Sequence, residues 1–594
     1  MNLIEYYSGK IADFNRQLSD KKKELRRFSL YRFIAFVLGF LQFFLFMPIN
    51  IFLPWGVFVV CFGIFIYFIK KYNAISFRIE VLKEKLSLNE RELKAQNWDY
   101  SGFKPAPELN NADHAFMNDL DIFEEQGFFQ SINRTVTLEG QKILAEELVK
   151  KPDDLNVLNE RQQTVQNLKD LHNWGQDFLA FSATGLKDAS VDSLLKWLLE
   201  KNIFLHNKTI HILRFAIPAI TLLVVIFNLL GNVPASAVML MIIIQFTIIG
   251  RWLKDINRLH GSTGKQHQNF RNYSELISMI QQQDFEASEL LELKETISAH
   301  DLNAMKAFKE LSLILKRFDY RLNLLMAFVL DGMLLWDLQV VVQLEQWKSK
   351  YKDALPQWMN AIYQYEAYIS LGNYAFNHPD FIFPEYNSET VLETEALGHP
   401  LLDPNVRICN DFNITTQSEF VIITGANMAG KSTFLRTAGL NLMMAYAGLP
   451  VCAKSFRFSF FDIFTSMRTN DSLSKNESYF YAELKRLKDL LKRVNSGKRV
   501  FVILDEILKG TNSKDKQEGS RMFLKQLVSK GATGIIATHD LDLASLEDEN
   551  PEKIKNKCFE IEIEGEKIFF DYKLYKGVTQ KMNASLLMKQ MGLV

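Results

Sequence analysis

The chain has 594 residues, and its 69 basic and 69 acidic side chains cancel to a formal charge of zero, so no global basic field advertises nucleic acid as a partner. A chain of this length holds roughly three to five domains with their own cores. The four cysteines, Cys61, Cys409, Cys452 and Cys558, are scattered without CxxC spacing, which argues against a disulfide framework and a structural zinc site and for a reduced compartment.

Residues 1–28 read as a polar helix with Lys21-Lys22-Lys23, a solvated face or one suited to anionic headgroups. Residues 29–72 contain two almost wholly apolar runs, Phe33 to Ile49 and Ile51 to Ile69, separated by Asn50 and Pro54 and enclosed by Arg26-Arg27, Arg32 and Lys70-Lys71. Nineteen residues at about 1.5 Å each cover most of a roughly 30 Å hydrocarbon layer, so the pattern predicts a transmembrane hairpin. The first run starts late and lacks a small-residue cleavage site, so no removable signal peptide is expected. In residues 73–104, Ile75, Ile79, Leu82, Leu86 and Leu93 recur at four and three spacing with Asn89 in the missing slot, a seam for packing against another helix. Asp99 to Asp113, with Pro105 and Pro107, reads as a linker.

Residues 105–208 read as a helical core, and residues 209–250 as a second hairpin: Phe215 to Leu230 and Ala235 to Ile249 flank the turn Gly231-Asn232-Val233-Pro234, with Lys208, Arg214, Arg251 and Lys254 outside. The placement of these basic residues predicts a multi-pass protein of four spans with both termini in the cytoplasm. The alternative is two buried core helix pairs. Residues 251–376 continue the helical region. Within it, Leu322 to Val342 is apolar but interrupted by Asp331, Gly332 and Asp337, and carboxylates are costly in lipid, so it reads as a buried helix of the soluble core. The coil around Asn377 to Glu395 opens a last domain, 377–594.

That domain carries the chemistry. The strand-like run Phe420-Val421-Ile422-Ile423 leads into Thr424-Gly425-Ala426-Asn427-Met428-Ala429-Gly430-Lys431-Ser432-Thr433, which fits GxxxxGK[ST]. Residues Gly425, Ala426, Asn427, Met428, Ala429, Gly430 and Thr433 are thereby expected to wrap the phosphates, Lys431 to reach the β and γ phosphates, and the Ser432 hydroxyl to ligate magnesium. The run from Phe434 to Ala447 reads as a helix whose positive end faces the same phosphates. The alternative for this motif taken alone is a glycine-rich turn capping a helix. Downstream, Arg499 to Leu504 is continuously apolar, as in a strand buried on both faces, and ends in Asp505-Glu506. Asp505 is placed on the metal, and Glu506 on the water that attacks the γ phosphate. Thr533 to Thr538 gives another such strand with His539 at its tip, either structural or a sensor of the γ phosphate. The predicted fold is an α/β P-loop nucleoside triphosphatase behind an all-α region, working with Mg2+.

Together these residues resemble the MutS mismatch-repair ATPases. TGANMAGKST is similar to that family's TGPNMGGKST, ILDEILKGTNSKD to its MDEIGRGTS loop, the segment Asp471 to Glu483 to its DDLASGRSTFMVE, and Ala537-Thr538-His539 to its ATH. Upstream, Gly398-His399-Pro400-Leu401-Leu402 resembles the entry to the family's ATPase domain, Asn133 to Gly140 with Leu158 to Arg161 the start of its helical core, residues 262–317 its lever helices, and Leu334 to Leu338 a core helix; Tyr572 to Val578 also fits. The resemblance covers residues 105–200 and 260–594. It implies an ABC-type nucleotide domain, a homodimer with composite ATP sites, and Ser478 reaching the partner subunit's γ phosphate.

The departures from the family carry expectations too. Where the family has an aromatic residue stacking on adenine, this chain has Arg407-Ile408-Cys409-Asn410, which makes the Arg407 plane the candidate stacking partner. After Glu506, Leu508-Lys509 replaces Gly-Arg, and lysine cannot reproduce a bidentate guanidinium contact. The mismatch reader with its Phe-x-Glu wedge has no counterpart. Three functions follow: a DNA-associated ATPase near the bilayer, a membrane scaffold or remodelling ATPase acting on an unknown protein partner, or a transport ATPase, the weakest because four spans make a small path and no LSGGQ-like signature is present.

Overall fold

The computed structural model describes residues 2–47, 53–111, 113–185, 196–263, 267–298, 303–389, 391–468, 479–509, 512–564 and 567–580. Its N-terminal half is all helix. The first two helices, Leu3–Phe46 and Leu53–Ala95, are 44 and 43 residues long, so each polar segment runs into its apolar segment without a break. Asn2 starts the first by accepting the Ile4 and Glu5 amides at 3.1 and 3.4 Å, as an N-cap must where amides have no helical partner. The two run antiparallel: Phe43 meets Trp55, Phe28 meets Phe68, and Leu18 packs with Ile75 and Ile79. Leu82 and Leu86 join that small core beside Leu25 and Phe28, the partner side chains for the apolar seam.

A buried ion pair ties this pair of helices to the rest. Arg134 meets Glu92 at 2.5 Å, both side chains almost without solvent contact, and Asn373 and Asn377 donate to the same carboxylate at 3.0 and 2.8 Å. The expected linker around residue 103 is packed instead. Phe103 and Ala106 are buried, and the Arg134 guanidinium lies 3.5 Å from the centre of the Phe103 ring. The residues after it clamp the C-terminal sheet domain: the Asp119 carboxylate accepts from Thr465 Oγ1 at 2.6 Å and from the Arg468 amide at 2.9 Å, while Asp121 meets Arg436 at 3.4 Å.

The second helix pair is Lys208–Leu229 and Ala235–Thr263, turning at Gly231 with φ +78. Most large apolar side chains in the middle of both pairs, among them Phe33, Val59, Phe215 and Leu222, face outward. Among the described residues four helices are long and apolar enough to cross a membrane, and they are these two pairs.

The expectation of one buried helix over 322–342 is corrected. The segment breaks by 83° into Leu324–Leu334 and Trp336–Tyr351. Leu335, at φ +49, ends the first helix in the left-handed conformation, and the Asp331 carboxylate accepts the Asp337 amide at 2.8 Å, so it caps the second. Only the second half is core: Leu338 and Val341 are fully buried, whereas Leu324 and Leu325 are 85% and 79% exposed.

The central helix Leu355–Asn377 is buried on nearly every face and leads into the sheets. Its Glu366 carboxylate, without solvent contact, is held by the Thr137 amide at 3.0 Å, the Thr137 hydroxyl at 2.7 Å and the Ser182 hydroxyl. The strands are β1 (Glu385–Tyr386), β2 (Leu392–Leu397), β3 (Asn410–Ile414), β4 (Phe420–Gly425), β5 (Ser455–Phe458), β6 (Asp462–Ser466), β7 (Val500–Asp505), β8 (Thr533–Thr538), β9 (Ile554–Phe559), β10 (Glu562–Glu564), β11 (Lys567–Phe569) and β12 (Leu574–Lys576). One mixed sheet has the order β1-β5-β2-β3. The larger sheet, β12-β9-β4-β8-β7-β6, is parallel apart from β12. Its central strands β4 and β8 are buried at every residue, which is why they read as continuous apolar runs.

Candidate functional site

Parallel register brings three strand ends together. Thr424 pairs with Thr538, and Asp505 with Ala537, so the ends of β4, β8 and β7 lie side by side although the residues are far apart in sequence. Beyond β4 the chain must turn sharply, and its glycines allow it. Gly425 has φ +154, and a Cβ there would stand 2.8 Å from the Phe559 carbonyl; Gly430 has φ +101 and begins the helix Lys431–Tyr446. The amides at that helix start have no helical acceptor, so the helix end is suited to an anion.

Lys431 extends back over the loop. Its ammonium donates to the Gly425 and Ala426 carbonyls at 2.8 Å each and lies 3.3 Å from His539 Nε2. Burial lowers its pKa to about 8, against the opposing pull of Asp505 and Glu506. His539 Nε2 is also 3.3 Å from a Glu506 oxygen, and one ring nitrogen cannot serve both neighbours in one protonation state. Burial and the Lys431 charge hold the His539 pKa below its ordinary value, so the neutral ring accepts from Lys431. Glu506 sits at φ +50, an unfavourable conformation for a residue with a Cβ, with Lys516 3.7 Å from its carboxylate.

The Ser432 hydroxyl donates to Asp505 at 2.5 Å. A hydroxyl and a carboxylate oxygen side by side suit magnesium, which takes one or two protein ligands and fills its octahedron with water and phosphate oxygens. No cluster of three or more His, Cys, Asp or Glu able to hold a metal occurs among the described residues, so the pair fits such a shared ion and not an all-protein cage.

These groups open onto a cavity of about 760 Å³. Asn427, Met428, Gly430, Lys431, Ser432, Thr433, Asp505, Glu506 and His539 line it, whereas Gly425, Ala426 and Ala429 do not, the first two offering their carbonyls to Lys431. Ser478 lies outside the described residues. Arg407, expected as a stacking plane, turns away to sit 5.4 Å from the Phe381 ring; Val406, Ile408 and Tyr572 line the cavity in its place. Tyr572 is held there by Asn410, whose amide donates to the Tyr572 carbonyl at 3.0 Å and accepts from the Leu574 amide at 2.8 Å. His399 also lines the cavity, its pKa lowered to about 4 by burial and by Arg436 and Arg407.

A second residue was missed as a contributor. The Glu483 carboxylate accepts the Leu508 and Lys509 amides at 2.6 and 3.0 Å and so holds the loop that follows Glu506, in which Leu508 also has positive φ. Its place beside a motif of polar residues was visible, but its partner, 25 residues away, was not.

Residues 421–590 match the model of MutS domain V. The chain is 32% identical over 211 residues to the DNA mismatch repair protein MutS of Thermotoga neapolitana, covering 35% of this chain and 25% of that protein. It is 31% identical over 251 residues to the DNA mismatch repair protein MutS of Carboxydothermus hydrogenoformans, covering 41% and 29%, and 32% identical over 218 residues to human MutS protein homolog 4, covering 35% and 23%. The chain thus spans about a quarter of the length of the relatives it matches. Residues 421–590 thus carry the likeness of this chain to MutS domain V.

Proposed function

We propose that this chain is a membrane-anchored, magnesium-dependent ATPase that works as a dimeric switch, with an ABC-type P-loop domain on the cytoplasmic side and two helical hairpins in the bilayer. The observation that carries the reading is the convergence of Lys431, Ser432, Asp505, Glu506 and His539 on one cavity at the ends of three parallel strands. The loop amides and Lys431 bind the phosphates, Ser432 and Asp505 hold the ion, and Glu506 orients or deprotonates the attacking water. Magnesium, when bound, neutralises charge on the phosphate oxygens. His539 reads the γ phosphate through its contacts with Lys431 and Glu506, and Ser478 completes the site of the second subunit. The decisive experiment measures Mg-ATP binding and hydrolysis by the detergent-solubilised full chain. Absence of binding would refute the reading.

Anchoring is supported by the two apolar helix pairs, whose outward faces are too hydrophobic and extended for water. The relatives are named for DNA mismatch repair, and DNA is the first candidate partner. A zero formal charge favours instead a scaffold or remodelling ATPase that does not depend on mismatched DNA. Binding to duplex and branched DNA at several salt concentrations separates the two, because phosphate contacts give a steep salt slope.

A further inference from the structure

The helix Leu324–Leu334 leaves the protein core and lies against the second hairpin. A Cβ on Gly332 would meet Ile242 at 3.2 Å and Phe246 at 3.4 Å, and the Phe328 ring is 5.7 Å from that of Phe246. The hairpin carries two amides in its apolar runs, Asn228 beside the turn and Gln245 in the second helix, and Gln245 is fully buried. Gln245 donates to Thr221 Oγ1 at 2.9 Å and accepts from the Leu335 amide at 3.0 Å. A polar side chain in a membrane span needs such internal partners. The elbow at Leu335 is therefore one of the groups that satisfy the hairpin, and Gln245 lies six residues, about 9 Å, beyond Arg251 along its helix.

The opposite face of the short helix is bare. Leu324, Leu325, Met326 and Val329 are all exposed and continue the outward apolar surface of the hairpin. At 11 residues the helix is about 16 Å long, enough for one leaflet and too short for both. Arg317 and Arg321 precede it in the chain but meet its Leu335 end, where the Trp336 indole donates to the Arg317 carbonyl at 3.0 Å and Arg321 meets Asp337 at 3.0 Å. Basic and aromatic residues at the end of an apolar helix are what a membrane interface selects.

We propose that Leu324–Leu334 is a fifth lipid-embedded element, seated in the cytoplasmic leaflet beside the second hairpin, with its outer face against acyl chains. The inference rests on the anchoring reading above. It also means that the bent segment joins the bilayer directly to the buried helix Trp336–Tyr351.

The test uses the full chain reconstituted in phosphatidylethanolamine and phosphatidylglycerol vesicles, with the photo-crosslinker p-benzoylphenylalanine replacing Leu325, Leu222 on the hairpin, or Leu313 on the exposed face of the preceding soluble helix. Mass spectrometry identifies the adducts. Lipid adducts at 325 and 222 with loss of the lipid signal at 313 support the proposal. Lipid adducts at 222 with none at 325 overturn it while leaving the anchoring reading in place. None at either position overturns both. Peptide adducts from a second copy at 325 overturn the lipid assignment and make this face a self-association surface.

Discussion

The Ser432 hydroxyl donates to the Asp505 carboxylate across 2.5 Å, although 73 residues separate them. Each alone is an ordinary polar residue at the end of an element. Their adjacency brings a helix start and a strand end together as the proposed seat for a hard cation.

Ser432→Ala and Asp505→Ala should each weaken magnesium binding in the presence of ATP by at least about tenfold, the loss seen even on removing an outer partner of a metal ligand. Titration of Mg2+ against ATP-dependent thermal stabilisation reads this out. An unchanged midpoint would refute the seat.

Lys431→Ala should abolish phosphate grip, whereas Glu506→Ala should keep ATP bound and slow hydrolysis by about 10²–10⁴-fold, the share a positioned base supplies. Equilibrium binding and single-turnover hydrolysis separate the roles. Equal loss of binding in both variants would contradict them.

Because burial lowers the Lys431 pKa to about 8, ATP affinity should be pH-dependent. The ammonium attracts phosphate and the neutral amine does not, so affinity is full below pH 8 and falls as pH rises through it, by up to about tenfold per unit. Between pH 8 and the ordinary lysine range, binding should take up a proton. Calorimetry in buffers of different ionisation heat would detect that proton, and Lys431→Ala should abolish it.

Glu483→Ala removes the acceptor for two amides in the loop after Glu506. Each abandoned buried donor costs about 1–3 kcal/mol, and the loop is expected to relax. Hydrolysis should slow while ATP affinity changes little. A proportionate fall in both would mean that Glu483 serves overall folding.

Glu92→Gln leaves the buried Arg134 guanidinium without its counter-charge, a loss of about 3–5 kcal/mol for a broken internal pair. The thermal midpoint of the solubilised protein should drop, and the ATP affinity of the surviving folded fraction should persist. Replacing both partners by apolar residues should recover part of the loss.

The phosphate loop, the carboxylates ending β7 and the histidine after β8 were legible because each is a short run of contiguous residues whose chemistry is local, placed by strands that are apolar on both faces. The apolar helix pairs were legible for the same reason, since hydropathy sums over neighbours in the chain. Reading the site as far as the base pocket failed at Arg407: one residue along, Ile408 reaches the cavity, and which of the two does so depends on Phe381, brought there by the fold.

Sequence alone located the GxxxxGK[ST] loop with its carboxylate and histidine partners, and the apolar helices. Tertiary structure decided that the Ser432, Asp505 and His539 elements share one cavity, that Glu483 braces the loop after Glu506, and that Leu324, Leu325 and Val329 are exposed while Leu338, Val341 and Leu344 are buried. The reason is that composition and spacing report what a side chain is, whereas the environment it meets is set by segments tens or hundreds of residues away that pack against it.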